Sequence, residues 1–336
     1  MAATEQPLIA VTLGDPAGIG PEIVAKYIAG PRKKDLTLVV VGEKNLLADT
    51  ARRLKLPPPD LNVLTRPSRD KFLPGVVNLV SLKVGNLKGV EPGRPNAKTG
   101  RAAIAFVEKA TDLVMLNEVD AVTTGPISKH AVNQAGFYFP GHTDYFASRT
   151  NTSKYAMCFI ADDLRVALVT THTALRKVHS KVKLARVVRT VCLLDEFVRG
   201  LGVNDPRLVV TGLNPHAGEN GLLGTEELQE IAPAVEACRT QGLTVDGPAS
   251  AEAAFAQHRR GRYDGLVAMY HDQGLIPVKV LFPYRTVNVT LGLPFVRTSV
   301  GHGAGLDIAG QGLAKVDSLR NAVNLAAKLV RARLRR

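Results

Sequence analysis

What most constrains this chain is a rhythm. Short apolar runs recur from one end to the other, each followed by a stretch whose apolar residues fall at helical spacing. Strands are expected at 8–13, 36–41, 76–82 and 120–124, then at 155–160, 165–170, 207–211, 265–269 and 286–291. The run 36–41 has the near-continuous Leu and Val of a parallel strand covered on both faces. Helices are expected at 21–29, 43–56, 98–117, 181–199, 225–240, 251–260 and 317–333. In 98–117 the residues Ala102, Ile104, Val107, Ala110 and Val114 give the helical period, and Pro57, Pro58 and Pro59 stop the helix before it. Such β-α alternation calls for a mostly parallel sheet with helices on both faces. A chain of 336 residues is too long for one minimal domain. The expected architecture is α/β: two α/β/α lobes with a cleft between them, residues 1–130 plus 305–336 forming the first and 131–304 the second. One large sheet is the alternative.

The charge pattern narrows the partners. Net charge is +13, but Lys and Arg are spread along the chain, and the densest run, 328–336, reads as the solvated face of a last helix. Nucleic-acid surfaces cluster their cations and interleave aromatic platforms; here the charge is dispersed and Trp is absent, so no nucleic acid is expected. An anionic small substrate suits the surplus of cations, as does simple solubility. No apolar run approaches the roughly 20 residues that span a bilayer. Residues 1–7 carry no basic segment leading into an apolar one. A cytoplasmic protein without membrane contact is therefore expected. Cys158, Cys192 and Cys238 are far apart and read as reduced thiols.

Three of the eight histidines share one setting. His172, His216 and His271 each follow a predicted buried strand, at the sheet edge where ligands of open α/β folds bind. Their flanks, Asn214-Pro215-His216-Ala217-Gly218-Glu219 and His271-Asp272-Gln273-Gly274, are polar, glycine-bearing loops. Three convergent imidazoles suit a divalent transition metal with positions left open for substrate; a hydrogen-bonded structural role for each is the competing reading. His142 lies in Gly141-His142-Thr143-Asp144, either a solvated turn or an oxyanion contact. Lys279, Asn288 and Arg297 span the next strand–loop region, and Arg297 follows an apolar segment where a lone charge is costly. An anionic ligand or an internal ion pair would answer that cost. His179 and His258 sit in basic, exposed helices, His130 near a helix start, and His302 in a loop able to line the cleft.

Other signals exclude chemistry. No G-x-G-x-x-G follows the first strand, and Gly14-Asp15-Pro16-Ala17-Gly18-Ile19-Gly20-Pro21-Glu22 has prolines where a dinucleotide fingerprint needs an open helix start. The run 92–99 lacks the Gly a P-loop has before its Lys, and no G-x-S-x-G elbow appears.

The 14–22 block, Gly141-His142-Thr143, Thr171-His172, 212–219, Met269-Tyr270-His271-Asp272-Gln273-Gly274 and the 288–299 run closely resemble the 4-hydroxythreonine-4-phosphate dehydrogenase family of pyridoxal phosphate biosynthesis. The likeness covers nearly the whole chain. It implies a two-lobed fold like that of isocitrate and isopropylmalate dehydrogenases, which binds NAD or NADP without the glycine fingerprint. It implies a homodimer with active sites at the subunit interface. It puts one divalent metal, Zn, Mg or Co, on His172, His216 and His271, and substrate on His142, Thr143, Lys279, Asn288 and Arg297. The implied reaction oxidises C3 of 4-phosphooxy-L-threonine and decarboxylates the product to 3-amino-2-oxopropyl phosphate. Asp272 and Lys279 are candidates for the base; no cofactor-binding residue is assigned. The family often has Ser-x-Asp-His-Gly-Thr-Ala where this chain has Ser299-Val300-Gly301-His302-Gly303-Ala304-Gly305, losing a carboxylate and a hydroxyl. Similar relatives act on phosphorylated threonate or erythronate, or on ring dihydrodiols. A metal-dependent sugar-phosphate aldolase or isomerase would use the same histidines without nicotinamide, and a basic metal- or phosphate-binding module needs no chemistry at all.

Overall fold

The computed structural model describes residues 6–31, 35–85, 87–139 and 141–334. The chain runs β1 (Leu8–Thr12), α1 (Gly20–Ala29), β2 (Thr37–Gly42), α2 (Lys44–Arg53), β3 (Leu61–Leu64), β4 (Val77–Ser81), α3 (Ala97–Met115), β5 (Ala121–Thr124), α4 (Lys129–Gln134) and α5 (His142–Arg149). It continues through β6 (Ala156–Ala161), β7 (Leu164–Leu168), α6 (Val178–Lys181), α7 (Leu184–Gly200), β8 (Arg207–Thr211), α8 (Ala232–Thr240), β9 (Thr244–Ala249), α9 (Ala251–Arg259), β10 (Gly265–Ala268) and α10 (His271–Leu281). Strands β11 (Val287–Leu291) and β12 (Val296–Val300) and helix α11 (Asp317–Leu334) complete it. No helix among the described residues is long and apolar enough to cross a membrane.

The fold is mixed α/β and divides into two compact units. One comprises Met1–Phe146 with Pro294–Arg336, the other Ala147–Leu293. In the first, strands lie in the order β3-β4-β2-β1-β5-β12, and every pair is parallel. Strands β1 and β2 are buried along their whole length, so their runs carry almost no polar side chain. Helix α3 starts where its sequence says it should. Asn96 Oδ1 accepts from the amides of Lys98 and Thr99, and the Thr99 hydroxyl closes the capping box onto the Asn96 amide.

In the second unit the order is β11-β6-β7-β10-β8-β9. Strand β6 runs antiparallel to both neighbours, and the remaining pairs are parallel. Val166, Leu168, Leu266, Ala268, Leu275 and Val278 form the heart of a core between sheet and helix α10. Gly274 makes that packing close: a Cβ there would come within 2.4 Å of Leu168 Cδ2.

Several expectations are revised. The unit boundaries fall after Phe146, within α5, and after Leu293, so that β12 belongs to the first unit, rather than at 130/131 and 304/305. The 142–143 region is the first turn of a helix, not a loop. Residues 271–281 form a helix despite Gly274 and Pro277, so Lys279 is helical, while Asn288 lies on β11 and Arg297 on β12. The expected helix 225–240 opens with a π turn at Glu227–Ile231 before α8 begins. His258 is buried, 5% exposed, on the face of α9 that also buries Ala254 and Phe255.

Candidate active site

Strands β7, β10 and β8 are parallel neighbours in that order. Ala268 lies opposite Leu168, and Val267 opposite Val210, so the three strands end almost level. His172 follows β7, His271 opens the helix that follows β10, and His216 follows β8. Sheet geometry thus sets the three residues at one edge, with neighbouring strands about 4.8 Å apart.

The connections between these ends are tight. The Thr170 amide and hydroxyl both donate to the Met269 carbonyl, at 3.1 and 2.7 Å. Gln273 joins β10 to β8. Its Oε1 accepts from the Met269 amide (2.7 Å) and the Thr211 hydroxyl (3.0 Å), and its Nε2 donates to the Gly212 carbonyl (2.8 Å). The His172 and His271 rings have centroids 6.0 Å apart and planes inclined by 40°. His271 Nδ1 shares a 2.7 Å hydrogen bond with Asp272 Oδ1, which leaves Nε2 as the nitrogen to meet a metal. His216 is exposed on a turn in which His216, Ala217, Glu219 and Asn220 all have positive φ.

Among the described residues no group of three or more His, Cys, Asp or Glu side chains is gathered to hold a metal ion. What is gathered is the pair His172–His271. Two imidazoles, one oriented through its other nitrogen by a carboxylate, fit a borderline divalent cation as a donor set. Lys279 is exposed two turns along α10. Asn288 is half-buried on β11, and its Oδ1 is inaccessible to solvent without a hydrogen-bond partner among the described residues.

The anion-site candidates of the first unit meet one another. Arg297 is 1% exposed; its Nη2 donates to Thr124 Oγ1 at 2.7 Å, and its guanidinium lies 5.4 Å from the Phe146 ring centroid. Burial pulls its pKa down to about 9. His142 opens α5, one turn before Phe146, and Thr143 beside it is buried. The His142 residue as a whole is half-buried, yet its Nε2 is fully inaccessible and unpartnered among the described residues. Burial, with Arg297 and Lys129 adding repulsion, holds this imidazole neutral, its pKa well below the usual value.

Sequence reasoning gave no role to four residues that shape these sites. Gln273 and Glu227 brace the loops of His271 and His216; Thr124 and Phe146 seat Arg297. Gln273 stood inside a quoted block, but its reach across strands has no local signature. Asp15, in the 14–22 block, is fully buried; its Oδ1 caps the Ala17 amide at 2.9 Å, and burial raises its pKa. His130 and His179 are exposed, and His302 is half-buried.

Known proteins share this arrangement of sequence. The chain is 42% identical over 326 residues to a D-threonate 4-phosphate dehydrogenase of Pectobacterium atrosepticum, covering 96% of this chain and 99% of that one. Over 338 residues it is 42% identical to a 4-hydroxythreonine-4-phosphate dehydrogenase of Caulobacter vibrioides, covering 98% and 99%. The crystal structure of a 4-hydroxythreonine-4-phosphate dehydrogenase from Klebsiella pneumoniae matches with a TM-score of 0.85 at 40% identity, covering 96% and 99%. Likeness over whole chains defines an enzyme of the dehydrogenase class, an oxidoreductase. The chain belongs to the family of the pyridoxal phosphate biosynthetic protein PdxA, whose pattern matches residues 34–326.

Proposed function

We propose that this dehydrogenase oxidises the C3 hydroxyl of 4-phosphooxy-L-threonine with NAD⁺ or NADP⁺, and that decarboxylation then yields 3-amino-2-oxopropyl phosphate on the route to pyridoxal 5′-phosphate. The reading includes a divalent metal, Zn, Mg or Co, held by His172, His216 and His271. The observation that carries it is the succession of three histidines after the level ends of adjacent parallel strands, two of them with rings 6.0 Å apart. When bound, such an ion would supply Lewis-acid polarisation at the substrate's C3 oxygen. The nicotinamide supplies the hydride acceptor.

The chain's own residues bind and orient. Asp272 holds His271 in one ring orientation through Nδ1. Arg297 is a buried guanidinium, and a phosphate or carboxylate at it would accept a charge-assisted hydrogen bond. Neutral His142 donates a hydrogen bond to that anion without adding a buried charge, and Thr143 adds a hydroxyl. Lys279 and Asn288 bind the remaining polar groups of the substrate. Asp272 and Lys279 are the two candidates to take the hydroxyl proton.

The reading extends to a homodimer with active sites at the subunit interface. Helix α10 supports it: Ile276 and Val280, one turn apart, are 60% and 73% exposed, and Tyr284 just beyond is 59% exposed. A second reading takes D-threonate 4-phosphate as the substrate; the 42% identity to a D-threonate 4-phosphate dehydrogenase supports it.

The test is nicotinamide reduction with the two phosphorylated acids side by side, on wild type and His216→Ala. Metal-dependent turnover of 4-phosphooxy-L-threonine that His216→Ala abolishes is expected. Full activity of His216→Ala after chelation contradicts the metal role, and turnover of D-threonate 4-phosphate alone moves the substrate to the second reading.

A further inference from the structure

We infer that Glu227 is a positioning residue for His216: its buried carboxylate locks the left-handed turn 216–220 that carries this imidazole. The functional consequence rests on the metal reading above.

The turn is costly by itself. His216 (φ 51, ψ 31), Ala217 (53, 42), Glu219 (45, 56) and Asn220 (54, 31) all sit in the left-handed region, with Gly218 (81, −6) between them. For each non-glycine member Cβ crowds the following carbonyl, and such a run persists only where its surroundings over-determine it. Glu227 supplies that constraint. It is 2% exposed. Its Oε1 accepts from the amides of Leu213 and Asn214, both at 2.7 Å, and its Oε2 accepts from Asn214 Nδ2 at 2.9 Å. Asn214 Nδ2 also reaches Glu226 Oε2 at 2.9 Å.

The backbone closes around this carboxylate. A Cβ on Gly218 would stand 2.7 Å from Glu227 Oε2, and one on Gly212 would stand 3.0 Å from Oε1. A Cβ on Gly224 would meet Asn214 Nδ2 at 2.4 Å. Glu227 also opens the π turn Glu227–Ile231, a feature that recurs where a helix is bent to serve a site. The arrangement fixes the entry to the segment that carries His216 and brings Gly218, within the turn, against the carboxylate. A general stabiliser would not need a strained turn beneath an exposed imidazole.

The test uses the full chain with Glu227→Gln, which keeps the shape but turns an amide N–H towards the Asn214 donor, and Glu227→Asp as the conservative comparison. Zn²⁺ affinity is read by competition with a chromophoric chelator, Co²⁺ coordination by its absorption spectrum, and folding by circular dichroism. Glu227→Gln is expected to weaken Zn²⁺ binding roughly 10- to 100-fold and to alter the Co²⁺ spectrum with the far-ultraviolet spectrum unchanged; Glu227→Asp restores part of the affinity. Equal Zn²⁺ affinity in wild type and Glu227→Gln overturns the inference, whereas a wild type that binds neither ion contradicts the metal reading itself. Hydrogen exchange on the wild type judges the lock independently of metal and of any variant's folding. Leu213 and Asn214 amides are expected to be protected like those of β8, and exchange at open-loop rates overturns the inference.

Discussion

The imidazoles of His172 and His271 lie with centroids 6.0 Å apart and planes inclined by 40°, although 99 positions of sequence separate them. Parallel pairing of β7 with β10 makes that meeting. The spacing is close to that of two imidazoles sharing one ion through bonds of about 2.0–2.1 Å.

Gln273 holds the meeting point together. Gln273→Ala leaves the Met269 amide, the Thr211 hydroxyl and the Gly212 carbonyl each short of a partner. Each lost buried bond costs about 1–3 kcal/mol. Urea unfolding should show a lower midpoint with an unchanged slope, and Zn²⁺ affinity should fall in the same variant.

Stability should fall on mild acidification. Burial lowers the pKa of both His142 and His258 below the usual imidazole value of about 6.5, so the folded chain keeps them neutral while the unfolded chain protonates them. Their contribution is whole above pH 6.5 and is lost as pH falls from there towards the folded values. Each adds a slope of up to about 1.4 kcal/mol per pH unit. Denaturation midpoints between about pH 7.5 and 5.5 should therefore decline, and the double variant His142→Asn with His258→Gln should flatten the decline.

Arg297 is the cation most directly suited to an anionic substrate. Arg297→Met should raise KM for the phosphorylated substrate roughly ten- to a hundred-fold, the equivalent of about 1.5–3 kcal/mol of charge-assisted hydrogen bonding. Steady-state kinetics checks this, with the melting temperature as a control, since removing a buried charge need not destabilise the fold.

The exposed apolar face of α10 should be an interface. Val280→Glu puts a carboxylate at a position that is 73% exposed in the single chain, so the fold should survive while the proposed dimer should dissociate. Sedimentation velocity on wild type and variant reads this directly.

Much of this was legible in the sequence because burial leaves a periodic signature. Strands β1, β2 and β5 and helices α3 and α11 declare themselves through apolar runs and helical spacing. Strand β12 does not, because Arg297, Thr298 and Ser299 interrupt it. All three are buried, Arg297 against Thr124 and Thr298 through a 2.9 Å bond to the Thr123 hydroxyl. Helix α10 was hidden by Gly274 and Pro277, β3 by its half-exposed residues, and β9 by the Gly and Pro within it. Strand direction has no periodicity, so the antiparallel β6 could not be told from its parallel neighbours. The histidines were legible as strand-end residues; the bracing by Gln273 and Glu227 was not, since it joins residues that only folding brings together.

The measurement that bears most directly on the account is the appearance of NAD(P)H when the full chain meets 4-phosphooxy-L-threonine, before and after removal of divalent metal. The account predicts reduced nicotinamide with release of carbon dioxide, lost on chelation and recovered on adding Zn²⁺, Mg²⁺ or Co²⁺. Turnover that is indifferent to chelation, or no reduced nicotinamide with any phosphorylated hydroxy acid, would contradict it.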